Sequence, residues 1–442
     1  MPGPVGARWV DLLARTECPA LTTRRARRGE VAGSPGDPIV WVEARGANVR
    51  DADGNVYVDL TSGFGVATLG HAHPRVVEAV RRQVGRLMHA LGDLHPSDAK
   101  VTLLAALAEL APFPDARVIL GAHGADAVEA ALKTAVLATG RTGVLAFTPG
   151  YHGLSYGALG VTGYQEAFRR PFLRQLNPEV AFCPYPRRGR ADRSEALART
   201  VATWDEATRR WGTPPGAILL EPMLGRGGVV EPPAGFLEDL GALARDRGAL
   251  LVVDEIFTGL GRTGAMMLSV AEGASPDLVC LGKALGGGMP MSACLGRAEV
   301  MAAWGDPTGA AIHTATFLGH PPACAASLAA LSTLREEGLD ARARALGDRA
   351  LARLRAGLPE LAEGDRVRGR GLVLGVELGE ARRTLRAVAH LLERGFLVLP
   401  AGPSAEVLQL APPLTISPAL LDQAIDAVVA VVQGLPHPGA PE

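Results

Sequence analysis

Two residues carry most of the chemical signal in this 442-residue chain. Lys283 follows the apolar run DLVCLG and precedes Ala-Leu-Gly-Gly-Gly, and Asp254 ends the apolar run ALLVVD. Short apolar runs bounded by turn residues read as buried strands, and in open α/β sheets ligands bind beyond the carboxyl ends of the strands. An amine and a carboxylate therefore face one cleft. A plain salt bridge would satisfy both, but two facts favour chemistry. Only Lys100, Lys133 and Lys283, three of the 45 basic residues, are lysine, and an amine, unlike a guanidinium, can lose its proton and attack a carbonyl. The glycines after Lys283 let the backbone pass close to a bulky ligand. A lysine whose pKa is lowered by desolvation or by positive neighbours suits a Schiff base.

That combination points to pyridoxal phosphate. The cofactor needs an amine for its aldehyde, a carboxylate for its pyridine nitrogen, donors for its phosphate and apolar packing on its ring faces. For the phosphate, ARVILGAHGADAVEAALKTA reads as a strand, a glycine loop and a helix start, so Gly124 and Ala125 would present backbone N–H groups at a positive helix end. A simple glycine turn entering a helix reads the same way. For the ring, Tyr151 follows the run GVLAF at the same sheet edge and Ile256 lies two residues past Asp254; either could equally be core.

The elements that must position these residues are legible as seven buried strands: 116–120, 143–147, 180–184, 216–221, 249–254, 277–282 and 292–296. Helical patterns at 126–138 and 236–248 fall between some of them, the alternation of an α/β sheet covered by helices on both faces. A large domain is expected over residues 70–325. Before it, VWVEARGANVRDADGNVYVDL alternates around a DADG turn and predicts a small antiparallel sheet. After it come Ala-, Leu- and Arg-rich helices, a strand in GRGLVLGVEL and a last helix in LLDQAIDAVVAVVQ. Residues 1–69 and 326–442 are expected to form one smaller α+β domain together.

Other chemistries find less support. GLGRTG (259–264) satisfies the GxGxxG spacing of a dinucleotide fingerprint, but DEIFT separates it from its strand and no suitably placed acidic residue ends a following strand. His71, His73, His152, His313 and His320 show no metal spacing, and GxSxG is absent, so neither a metal site nor a serine hydrolase is expected. Forty-five basic against 46 acidic residues give a net charge of −1, without the electrostatic footprint that nucleic acid or an anionic membrane requires. No apolar run approaches the length of a bilayer span and the N-terminus lacks a continuous apolar region, so a cytoplasmic protein is expected. Five scattered cysteines suggest buried thiols, not a disulfide framework. Residues 24–38 and the tail LPHPGAPE are rich in Pro, Gly or Arg; the cluster Arg24, Arg25, Arg27 and Arg28 reads as a surface feature and receives no role.

The order LLVVDEIFTGLGRTG then DLVCLGKALGGGMP resembles the class III aminotransferases, pyridoxal-phosphate enzymes of fold type I (aspartate aminotransferase-like), in which a mostly parallel seven-stranded sheet carries the cofactor. The resemblance spans most of the chain, from DADGNVYVDLTSGFGVATLGHAHP through YHG (151–153), EPMLGRGG (221–228) and TFLGHPPACAASLA (316–329) to LQLAPPLTIS (408–417). It implies that Lys283 forms the internal aldimine and shuttles the substrate proton, and that Asp254 keeps the pyridine nitrogen protonated. It further implies that Tyr151 stacks on one ring face, that Ile256 packs on the other and that Glu221 lies near the cofactor. Gly124, Ala125 and, from the other subunit, Thr316 would hold the phosphate, which implies a homodimer with shared active sites. Phe64 would line the substrate pocket.

Four departures from the family pattern bear on the substrate. Ala125 stands where Ser or Thr is usual, which removes about 1 kcal/mol of hydrogen bonding but keeps the backbone donor. Phe257 replaces the glutamine of the ornithine and 4-aminobutyrate branches, and Leu154 replaces the arginine that acetylornithine-type enzymes place after YHG, which argues against those substrates. Arg226 stands where many members have a gatekeeping glutamate, and Gln409 where they have a carboxylate-binding arginine. Arg226 is therefore expected to receive the substrate carboxylate, its fork suiting bidentate pairing, with a structural ion pair as the competing reading. The expected reaction moves an amino group from an amino acid or ω-amine to 2-oxoglutarate or pyruvate. An amino acid racemase or epimerase of the same family is the alternative, and a dinucleotide-dependent oxidoreductase the alternative of another class.

Overall fold

The computed structural model describes residues 3–33, 38–305 and 311–436; the end of the Pro- and Gly-rich tail lies outside them. The chain divides into two compact units. One is Pro74–Ala341; the other takes its residues from both ends, up to His73 and from Arg342 onward.

The larger unit is built on seven strands: β1 (Arg117–Gly121), β2 (Val144–Thr148), β3 (Val180–Pro184), β4 (Ala217–Leu220), β5 (Leu250–Asp254), β6 (Leu278–Leu281) and β7 (Ser292–Gly296). Their spatial order is β1-β7-β6-β5-β4-β2-β3. β7 runs antiparallel to both neighbours and every other pairing is parallel. The strands read as continuous apolar runs because both faces are buried. Leu145, Phe147, Ile218, Leu220, Leu251 and Val253 pack on one face with Phe236 and Leu240 of the helix Phe236–Asp246. Val144, Ala146, Ala217, Leu219, Val252 and Cys280 pack on the other with Ala127, Val128 and Ala131 of helix α1 (Gly124–Thr139). Each Val, Leu, Ile or Phe among them stabilises the fold by about 1.5–3 kcal/mol when fully buried. In the β5–β6 register Asp254 lies opposite Cys280, so the end of β5 and Lys283, three residues further on, share one sheet edge.

The unit boundary falls differently from the expected 325/326 break. The helix Pro321–Glu336 packs against Pro74–Arg86 and Asp98–Leu110, which keeps it with the large sheet.

The smaller unit holds two sheets. Trp41–Arg45, Asn48–Asp51 and Val56–Asp59 form an antiparallel meander, with the DADG turn between the last two, and Phe396–Leu397 joins it in parallel. Val367–Arg370, Val373–Glu377, Val407–Leu410 and Leu399–Ala401 form an antiparallel sheet in that order. Most of the Arg-rich stretch after residue 19 is the helix Pro19–Ala32, because arginine is a good helix former; Pro19 opens it, and Gly33 closes it at φ +68°.

Candidate active site

Asp254 is the last residue of β5 and is buried. One carboxylate oxygen accepts from the backbone N–H of Ile256 at 3.0 Å, and the other meets His152 Nδ1 at 2.8 Å. His152 is itself buried, and its Nε2 has no hydrogen-bond partner among the described residues. With one partner on each oxygen, the carboxylate keeps lone pairs for a further donor.

Lys283 opens a single 3-10 turn after β6 and has φ +43°, a left-handed conformation that costs a residue with a side chain energy and recurs at functional sites. Burial pulls its pKa below the usual lysine value; Asp254 and Glu221 oppose that, while Arg226 and Arg262 add to it. The amine is thus biased toward its neutral, nucleophilic form. Its Nζ lies 4.7 Å from the centroid of the Phe257 ring.

Glu221 follows β4 and is buried, which raises its pKa; the charges of His152 and its bonds to two backbone N–H groups partly offset that. Those N–H groups are Tyr151, at 2.9 Å, and Gly225, at 3.0 Å. One carboxylate therefore fastens the segment after β2 to the turn that carries Arg226. The ring of Phe257 packs against that turn so closely that a Cβ at Gly225 would come within 2.4 Å of it. The neighbouring Glu255 is buried too, but it accepts from Ser269 N and Oγ at 2.6 and 2.7 Å and from the Thr258 hydroxyl, which is a structural network.

At the start of α1 the N–H groups of Gly124 and Ala125 have no acceptor within the helix. Asp126 occupies the N–H groups of Ala122 and His123 instead, at 2.8 and 3.0 Å. Ile256 packs here: a Cβ on Gly124 would lie 3.0 Å, and one on Gly282 3.2 Å, from its side chain. Gly153 approaches Ala125 just as closely, with 2.8 Å from a built Cβ to that of Ala125 and φ +126°. Glycine at 153 is thereby explained.

Lys283, Asp254, Glu221, Tyr151, Ile256, Gly124 and Ala125 thus lie in one unit, and the contacts above tie them together. Thr316 belongs to the same unit but is exposed, and no hydrogen bond or ring contact joins it to that group. Phe64 belongs to the smaller unit, where Ser62, Gly63, Phe64 and Gly65 all have positive φ. Asp59 clamps that turn, accepting from Thr61 N and Oγ1, from Gly63 N and from His71, and the Phe64 side chain is 70% exposed. His152 and two aromatic residues near Arg226, Tyr164 and Phe168, were not singled out from the sequence as parts of one site. His152 had a signal, its place beside Tyr151 just past a buried strand; nothing in the spacing pairs 151 with 164 and 168.

The GLGRTG loop folds back on itself, with Leu260 N bonding Met266 O and Gly261 N bonding Ala265 O, and only the short helix Leu268–Ala271 follows it. It therefore has no helix N-terminus with which to cradle a pyrophosphate. Among the described residues no group of acidic, His or Cys side chains has the makeup of a metal site, and no helix is long and apolar enough to cross a membrane.

The residues present fit a pyridoxal phosphate: a desolvated amine, a carboxylate with spare acceptor capacity, unspent N–H donors at a helix start, and an apolar side chain bounded by glycines. Comparison with known proteins agrees. The family model Aminotransferase class-III matches residues 32–432. An acetylornithine aminotransferase of Methanopyrus kandleri is 39% identical over 390 residues, 88% of this chain and 92% of that protein. A thermostable (S)-enantioselective ω-transaminase from Thermomicrobium roseum superposes with a TM-score of 0.85 at 30% identity, covering 97% of this chain and 98% of the other. A PLP-bound amine transaminase from an uncultivated Pseudomonas species gives 0.81 at 28% identity, over 90% and 95% of the two chains. The chain belongs to the class III aminotransferases. It is a transaminase of fold type I that uses pyridoxal phosphate to move an amino group from a donor to a keto acid; racemase and dinucleotide-dependent readings are not favoured.

Proposed function

We propose that the group around Lys283 is the catalytic centre of this transaminase. The observation that carries the reading is the meeting, at one sheet edge, of a lysine with a depressed pKa, a buried carboxylate and a helix start with unspent N–H groups. When bound, pyridoxal phosphate supplies an aldehyde to receive the amino group and a ring to delocalise the charge left when the substrate loses its α-proton. Asp254 would face the ring nitrogen, held in place by His152 and Ile256 N–H. Gly124 and Ala125 would donate to the phosphate, with Tyr151 and Ile256 on the ring faces and Glu221 fixing Tyr151. Lys283 Nζ is the group placed to take and return the substrate proton, and the pull of burial on its pKa suits that work near neutral pH.

Arg226 would line the substrate pocket. The donor is an amino acid or ω-amine and the acceptor 2-oxoglutarate or pyruvate. The donor named by the acetylornithine relatives is disfavoured here, because Leu154, exposed and uncharged, stands where those enzymes place an arginine. We take the working enzyme to be a homodimer. Met88, Leu91, Leu94 and Phe317 in the larger unit are large apolar side chains, each more than half exposed, and a second copy would cover them. Thr316, exposed beside them, would serve the phosphate site of the other subunit. A cytoplasmic location fits four buried cysteines that remain free thiols.

The test is a screen of α- and ω-amino acids against pyruvate and 2-oxoglutarate with added cofactor. Formation of the donor's keto product together with the acceptor's amino product supports the reading. Proton exchange at Cα without any exchange of the amino group would contradict it.

A further inference from the structure

Arg226 has an unusual environment for a partly buried cation. Its guanidinium carbon lies 4.5 Å from the ring centroid of Tyr151, 4.8 Å from that of Tyr164 and 5.5 Å from that of Phe168. The rings support one another: Tyr151 and Tyr164 meet edge to face at 6.1 Å and 87°, and Tyr164 and Phe168 lie 5.8 Å apart. Among the described residues no carboxylate pairs with Arg226 and no carbonyl accepts a hydrogen bond from it. Within one copy of the chain, no ion pair among the described residues competes for it. Cation–π attraction holds a guanidinium through the ring quadrupoles without spending its N–H groups on a hydrogen-bond acceptor, so the donors that pair with a carboxylate stay available.

The position of the box gives it a purpose. Gly225 is tied by its N–H to Glu221, which also holds Tyr151. The Phe257 ring packs against Gly225 and also lies near Lys283 Nζ. Arg226 follows Gly225 directly and so belongs to the segment packed against Phe257, close to the reacting amine. It also helps depress the Lys283 pKa.

Building on the transaminase reading, we propose that Tyr151, Tyr164 and Phe168 form an aromatic box that holds Arg226 as a fixed receptor for the substrate carboxylate. The box makes this enzyme select amino and keto acids over amines that lack a carboxylate. Tyr164 and Phe168 are positioning residues in this scheme and act through Arg226.

The experiment uses the cofactor-loaded enzyme with a keto acid acceptor and two donors of similar size, one with and one without a carboxylate. Calorimetric binding of glutarate, an unreactive dicarboxylate, to the cofactor-free protein is the second readout. Replacing Arg226 by Gln should raise KM for the acids by about 10- to 100-fold, the range of a charge-assisted hydrogen bond, with a much smaller fall in kcat. The preference for the carboxylate-bearing donor should shrink by a similar factor, and glutarate binding should weaken in step. Tyr164→Leu and Phe168→Leu should each reproduce part of the KM effect, about 3- to 10-fold, although neither removes a charge. If Tyr164→Leu does not fold, Phe168→Leu, at a partly exposed position, carries the test.

An unchanged KM for the acids in an active Arg226→Gln enzyme would overturn the proposal and leave the transaminase reading standing. Dissociation of the oligomer with unchanged glutarate binding would overturn it too and place Arg226 at a subunit contact. A wild-type enzyme that transfers no amino group from any donor would instead contradict the transaminase reading itself.

Discussion

Around Asp254 and Glu221 charge is matched by hydrogen bonds, whereas at Arg226, five residues past Glu221, it is matched by ring faces. Each Asp254 oxygen has a partner at 2.8–3.0 Å, and each Glu221 oxygen holds a backbone N–H at 2.9–3.0 Å. Arg226 has three aromatic rings within 5.5 Å and no acceptor among the described residues. Hydrogen bonds fix a charged group by consuming its donors or acceptors. Cation–π contacts hold a guanidinium without spending its donors on an acceptor. The first arrangement suits groups that must hold still under a resident cofactor, and the second suits a group that must greet a ligand which comes and goes.

Perturbing the two ends should therefore fail in different kinetic constants. The largest loss is expected at Lys283: Lys283→Ala should lower kcat by about 10⁴-fold or more, the upper range for a positioned proton-transfer group, as measured by keto acid release in a single turnover. Asp254→Asn should lower kcat by about 10²- to 10³-fold, as when one preorganised electrostatic partner is lost. It should also shift the visible spectrum of the loaded enzyme, with KM for the acids little changed. Glu221→Gln keeps a carbonyl for one backbone N–H and leaves the other unpaired. A loss of about tenfold in kcat/KM, shared between kcat and KM, is expected because Glu221 anchors Tyr151 on one side and Gly225 on the other. An effect confined to kcat would separate the two ends and contradict that link.

The gentlest test concerns stability. Burial lowers the Lys283 pKa from the ordinary 10.5, so between the depressed value and 10.5 the unfolded chain binds the proton that the folded chain has released. Stability from this group is thus present above the unfolded value and lost as pH falls through the folded one. In urea titrations of the cofactor-free proteins, the stability of wild type minus that of Lys283→Ala should rise with pH across this window. Its slope should not exceed about 1.4 kcal/mol per pH unit. A flat difference would mean that Lys283 titrates normally in the folded state.

The sheet was legible in the sequence because both its faces are buried: every one of the seven apolar runs is a strand, within a residue or so at most ends. Lys283 and Asp254 were legible for the same reason, since residues just past a parallel strand have one place to go. The Arg226 box was only half legible. The charge at 226 stands out as a residue type, but Tyr151, the neighbouring pair Tyr164 and Phe168, and Arg226 come from three separate segments, and only tertiary packing brings them together. The turn at Ser62–Gly65 was hidden as well, because a run of positive φ that includes Ser62 and Phe64 has no propensity signal and rests on the Asp59 clamp. The helix that carries the arginines at 24–28 was not read from the sequence either, where they stood out only by composition as a surface cluster.

The most direct measurement of the central claim is a half-reaction followed by absorbance and product together. The cofactor-loaded wild type and Lys283→Ala are each mixed with a carboxylate-bearing amino acid and no keto acid. The account predicts that the wild type loses its yellow absorbance and releases one keto acid per bound cofactor, while Lys283→Ala does neither at a comparable rate. A wild type that stays yellow and releases no keto acid across the amino acid panel, or a Lys283→Ala enzyme that reacts as fast as wild type, would contradict it.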